Sequence, residues 1–251
     1  MISQSVTIDV AGTPMPAYLA RPDGEAPRPA VIVLQEIFGV NAEVKRITDL
    51  LAGAGYVGLA INYYHRTHPN LNEPYTPEGL QAGFAAAGAV TKASLRRDVG
   101  AAIDWLNAQS YVRRDNIATW GFCFGGTVAF VTANLPGLRG TICFYGGHIA
   151  SPLPNGEPAA IEDAAEVRVP LLLTFGGKDA YITSEHVELI RKALTAAGKS
   201  FEIVVYPDQD HAFFRNSGAQ LDAAGDSQSP ALHDVADAWK RVQSFLREHL
   251  E

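Results

Sequence analysis

The chain has 251 residues, 47% of them apolar, enough to bury one large α/β core or two small ones. Acidic residues outnumber basic ones by 27 to 20, a formal charge of −7, which argues against nonspecific nucleic-acid binding and leaves small-molecule partners open. Two cysteines are too few for a disulfide framework, Met1-Ile2-Ser3-Gln4-Ser5 lacks the basic and apolar regions of a signal peptide, and no apolar run approaches a membrane span. These features lead to the expectation of a reduced, cytoplasmic protein that engages neither nucleic acid nor membrane.

Val6–Val10 alternates, Gly12-Thr13-Pro14 turns, and Met15–Ala20 returns, so the chain is expected to open with a hairpin. Ala30–Leu34 is apolar at every position, as in a parallel strand covered on both faces. Helical spacing runs from Asn41, a candidate N-cap, through Val44, Ile47, Leu50 and Leu51, and ends at Gly53 and Gly55. Tyr56–Ile61 reads as the next buried strand. Pro69, Pro74 and Pro77 make the following stretch a loop, after which the alanine-rich 82–90 segment and Ser94–Leu106 read as helices. Strands are expected at Ile117–Trp120, Gly140–Phe144, Pro170–Phe175 and Phe201–Tyr206, with helices over Ser184–Ala197 and 231–249 and an irregular loop over 149–168. Strands alternating with helices imply one α/β domain over residues 1–251, with a mostly parallel sheet and helices on both faces.

The most informative motif is Gly121-Phe122-Cys123-Phe124-Gly125, set between the Ile117 strand and the Gly126–Val131 helix opening. A strand, a sharp glycine-lined turn and a helix form a nucleophile elbow, here with a thiol at its tip. The glycines flanking Cys123 by two positions leave room for a strained backbone, and the helix N-terminus favours a thiolate. Such a thiol needs a base, and the base needs an orienting acid, supplied by the ends of later strands. His211 follows the Tyr206 strand and Asp179 follows the Phe175 strand; Asp208 and Asp210 compete with Asp179 for the acid role, but loop neighbours rarely orient a ring well. Phe124 and Ile37 are expected to offer backbone N–H groups to an oxyanion. Glu36, at the end of an apolar strand, must have a role or a partner to offset desolvation: it could hydrogen-bond the thiol, or pair with a buried Arg. Tyr63, Tyr64 and Phe38 are candidate pocket residues. Cys143, inside an apolar run, reads as core packing, and the remaining histidines show no metal-ligand spacing.

Taken together, Glu36-Ile37-Phe38-Gly39, Gly121–Gly126, Phe144-Tyr145-Gly146, the Gly176–Asp179 turn and His211-Ala212-Phe213 resemble the dienelactone hydrolase family over nearly the whole chain. The resemblance implies an α/β-hydrolase fold and hydrolysis of a cyclic enol lactone through Cys123, His211 and Asp179 without a cofactor. It also implies that Glu36 holds Cys123 in a resting state, and that Arg215 is one of two arginines gripping a substrate carboxylate. Residues 67–91 contain no Lys or Arg, which leaves Arg66 as the substitute for the second. The expected reaction is therefore cleavage of a small ester or lactone through an acyl-thioester. A thioesterase or acyl transferase on the same fold is an alternative, as is a non-catalytic ligand-binding or redox-sensing protein.

Overall fold

In the computed structural model, residues 1–215 and 230–251 are described, and within them all eight strands join one sheet in the order β1-β2-β4-β3-β5-β6-β7-β8. The chain enters through β1 (Ile2–Val10) and β2 (Thr13–Arg21), an antiparallel hairpin. Its two loop residues, Ala11 and Gly12, both have positive φ, which matches the twist of the flanking strands. β2 lies antiparallel to β4 (Val57–Ile61); β3 (Arg28–Leu34), β4, β5 (Val112–Phe122), β6 (Leu138–Phe144), β7 (Leu171–Gly176) and β8 (Phe201–Tyr206) are mutually parallel. All of β4 and nearly all of β3, β6 and β7 are buried, as their unbroken apolar runs require of strands covered on both faces.

Helices among the described residues that cover the sheet include α1 (Ala42–Gly53), α2 (Pro77–Ala87), α3 (Lys92–Asn107), α4 (Phe124–Thr132), α5 (Ser184–Ala196) and α6 (Pro230–Leu250). Side-chain caps fix several starts. Asn41 Oδ1 accepts from the Val44 N–H, and Thr91 and Thr183 form capping boxes with Ser94 and His186. α3 and α4 pack together on one face, while α1 and α6 share a groove on the other. Beneath the future site lies an aromatic core in which Trp120 stacks on Trp239 of α6 and contacts Phe122, Phe144 and Phe214.

The elements depart from the sequence expectation in three places. β5 starts five residues earlier than expected, at Val112, because the polar Arg113–Asp115 stretch runs exposed beyond the covered part of the sheet. The helix expected over 82–90 begins at Pro77, capped by Thr76, since proline is tolerated in a first helical turn. The loop over 149–168 contains one 3-10 helix, Ala160–Glu166.

The topology gathers the site. From β3 the chain steps one way to β4 and then returns past β3 to β5, so a crevice opens where the strand order reverses. The carboxyl ends of β3, β5, β6, β7 and β8 share one edge. They deliver Glu36, Cys123, Tyr145, Asp179 and His211 to the same end of the molecule.

Candidate active site

Cys123 sits between β5 and α4 with φ 53° and ψ −119°, a backbone conformation that side chains rarely adopt. Its N–H donates to the Phe144 carbonyl at 3.0 Å, and its own carbonyl accepts from the Gly126 N–H at 2.9 Å. The glycines are required by contact. A Cβ on Gly121 would strike the Gly125 carbonyl, one on Gly125 would strike the Leu34 carbonyl, and one on Gly126 would crowd that of Phe144. Cys123 is partly exposed, whereas Cys143 is fully buried; both are free thiols, and burial pushes the Cys143 thiol far above its ordinary range.

His211 Nδ1 is 2.7 Å from Asp179 Oδ2, and the ring is electrostatically coupled to Cys123. Burial lowers the affinity of the ring for a proton, but the bonds to Asp179 and Cys123 overcome this and raise its pKa from 6.5 to about 10. Asp179 is buried, which opposes its charge. The His211 bond and the N–H groups of Tyr181 (2.8 Å) and Ile182 (3.0 Å) on Oδ1 nonetheless hold its carboxyl below the usual range. Asp208 pairs instead with Lys178 at 3.0 Å on the surface, and Asp210 is exposed.

Phe124 is the first residue of α4, so its N–H has no partner within the helix. Ile37 lies in the turn after β3, buried beside Gly83 of α2, where any Cβ would crowd the Ile37 carbonyl and side chain. This turn is strapped down by residues 71–83: Gly39 bridges Asn72, and the Glu73 N–H donates to the Phe38 carbonyl at 2.9 Å. Phe38 is buried edge-to-face against Tyr75.

Of the two fates open to Glu36, pairing with an arginine is the one observed. Arg215 Nη1 donates to both carboxylate oxygens, at 3.2 Å and 3.5 Å, across 179 residues of sequence. Burial drives the Glu36 carboxyl upward, and Arg215, His211 and Tyr75 oppose that rise. The Arg215 guanidinium also lies 4.2 Å over the Tyr75 ring, whose hydroxyl accepts from Asn41 Nδ2 at 3.0 Å.

The profile of the dienelactone hydrolase family matches residues 15–250. The chain belongs to the dienelactone hydrolase family. It is 33% identical over 246 residues to a Synechocystis protein named "Putative carboxymethylenebutenolidase", covering 98% of this chain and 96% of that one. An Escherichia coli K12 protein of the same name is 30% identical, over 99% of this chain and 88% of its own. Among solved structures, a "Putative Dienelactone Hydrolase" from Klebsiella pneumoniae superposes with a TM-score of 0.83 at 30% identity, covering 98% of both chains. The α/β-hydrolase fold and carboxylic ester hydrolase activity follow from this membership.

In this member of the family, two expected substrate contacts lie elsewhere. Arg66 does not point a free charge at the site: its Nη1 is 2.6 Å from the fully buried Asp98 Oδ1 of α3, which also lies 3.5 Å from His65 Nε2. The buried carboxylate captures the nearest cation. Tyr64 is fully buried edge-on to Tyr63 and presents no surface to a ligand; the Tyr63 hydroxyl donates to the Gln35 carbonyl at 2.5 Å. Sequence reasoning assigned no role to three aromatic neighbours of the site. Tyr75 and Tyr181 sit in loops with no periodic signal. Tyr145, with φ 39°, could have been suspected from its place directly after a strand end. Among the described residues no cluster of His, Cys, Asp and Glu could hold a metal ion, and no helix is long and apolar enough to cross a membrane.

Proposed function

We propose that this enzyme hydrolyses a small ester or lactone through an acyl-thioester on Cys123, with His211 as the proton carrier and Asp179 as its orienting acid. What supports the reading is the 2.7 Å contact of Asp179 Oδ2 with the His211 ring, together with the coupling of that ring to the thiol at the elbow. With Nδ1 committed to Asp179, Nε2 is the nitrogen that exchanges a proton with the reaction centre. The sulfur attacks the substrate carbonyl, and the Phe124 and Ile37 N–H groups receive the negative charge that develops on oxygen. Collapse breaks the carbon–oxygen bond, and His211 protonates the departing oxygen. Water then attacks the thioester, gives its proton to His211, and releases the acid and the thiol.

Glu36, balanced by Arg215 and within electrostatic reach of His211, acts as a fixed charge beside this centre and tunes where its protons reside. Arg215 is the cation available to a substrate carboxylate, at the cost of its contact with Glu36. The test is Cys123→Ala, which should fold normally and lose aryl acetate hydrolysis, as should the wild type after thiol alkylation. Retained turnover in the variant would end the proposal.

A further inference from the structure

Two tyrosines flank the His211 imidazole, and they differ in exposure. Tyr145 packs edge-to-face at 5.3 Å and 64°, fully buried behind the ring. Tyr181 packs at 5.4 Å and 68°, yet is 65% exposed. An exposed large aromatic is normally unremarked, but this one is fixed to the catalytic machinery. Its N–H donates to Asp179 Oδ1 at 2.8 Å, while Asp179 Oδ2 holds the imidazole at 2.7 Å. One carboxylate therefore sets both the His211 ring and the backbone that carries the Tyr181 ring.

The reaction geometry gives that surface a use. In the acylation step the leaving oxygen must come within hydrogen-bonding distance of His211 Nε2 to take its proton. Whatever is attached to that oxygen extends outward past the imidazole. Tyr145 is fully buried and offers the substituent no surface, whereas the Tyr181 ring beside the imidazole is open to it. Resting on the Cys123 mechanism above, we propose that Tyr181 forms the leaving-group subsite of this enzyme and selects esters with a planar aryl leaving group, phenols over alkyl alcohols. The balance of the step is unchanged: the sulfur–acyl bond forms, the acyl–oxygen bond breaks, and the phenolate takes the His211 proton and departs as phenol. Arg215 is paired with Glu36 and lies over the Tyr75 ring.

The experiment compares kcat/KM for phenyl acetate and methyl acetate in the wild type, Tyr181→Ala and Tyr181→Phe. Comparing the phenyl-to-methyl ratio between variants cancels the intrinsic reactivity difference between the esters, and kcat/KM reports acylation. One lost aromatic pair predicts a fall in that ratio of about 3- to 10-fold in Tyr181→Ala, with the ratio restored in Tyr181→Phe. An unchanged ratio would overturn the proposal. So would an equal fall on both esters, which would mean that Tyr181 merely supports Asp179. Failure of the thiol mechanism itself would show separately, as turnover surviving in Cys123→Ala.

Discussion

Asp179→Asn is the substitution whose consequences follow most fully from the geometry. The amide keeps the size of the carboxylate, and its oxygen can still accept from the Tyr181 and Ile182 N–H groups. The atom facing His211 Nδ1 then becomes an NH₂ donor, so Nδ1 must turn acceptor and the ring proton moves to Nε2, facing the thiol. That is the wrong tautomer for a base. The charge is lost as well. The rise of the His211 pKa from 6.5 to about 10 amounts to roughly 5 kcal/mol of preference for the imidazolium. Asp179 and Cys123 supply it together against the burial penalty. Removing Asp179 takes away one of these two supports, a loss that comes before the tautomer is counted. We expect kcat/KM for an aryl acetate to fall about 10²- to 10⁴-fold, with circular dichroism and melting cooperativity kept. An NMR titration of the His211 ring should show its pKa dropping in the same variant. A rate within threefold of wild type would refute the reasoning, because it would mean that the 2.7 Å contact orients nothing the reaction uses.

Two further outcomes bear on the charges around the site. The folded pKa of His211 lies above its unfolded value, so the stability gained from its protonation is fully present below pH 6.5 and is lost as pH rises through about 10. The difference in unfolding free energy between wild type and His211→Gln should shrink over that window, and a difference independent of pH would contradict the ion pairing. Arg215→Met removes the countercharge of a buried carboxylate and should destabilise the fold by about 3 kcal/mol at neutral pH in urea titrations. Because burial already raises the Glu36 pKa, that deficit should fade on acidification through and below the ordinary carboxyl value of 4.5, since Glu36 is then protonated in both states. A deficit that grows on acidification would reverse the sign of the argument.

What was readable in the sequence is what short-range chemistry imposes. The elbow is legible because only glycine fits at 121 and 125, and the parallel strands because strands buried on both faces must be apolar throughout. His211 and Asp179 stand out because polar residues at the ends of such strands are gathered at one sheet edge by the topology. The sequence offers an unspecified arginine as one of two fates for Glu36 but does not single out Arg215, since no local pattern joins residues 179 positions apart. The capture of Arg66 by Asp98 was hidden for a similar reason: Asp98 occupies the buried side of a helix whose sequence gave it no distinguishing mark. Tyr64 shows the limit of reading aromatics at strand ends, where the next ring in the chain decides which face is covered. Tyr75 and Tyr181 gain their positions from one contact with Arg215 and one with Asp179, neither of which has a periodic signature.

The most direct measurement of the central claim is mass spectrometry of the enzyme acid-quenched during turnover of an aryl acetate. The account predicts an acetyl group on the peptide bearing Cys123, trapped by rapid quenching at low temperature and absent from Cys123→Ala. Rapid hydrolysis with no adduct on that peptide, or an acetyl group carried by another residue, would contradict it.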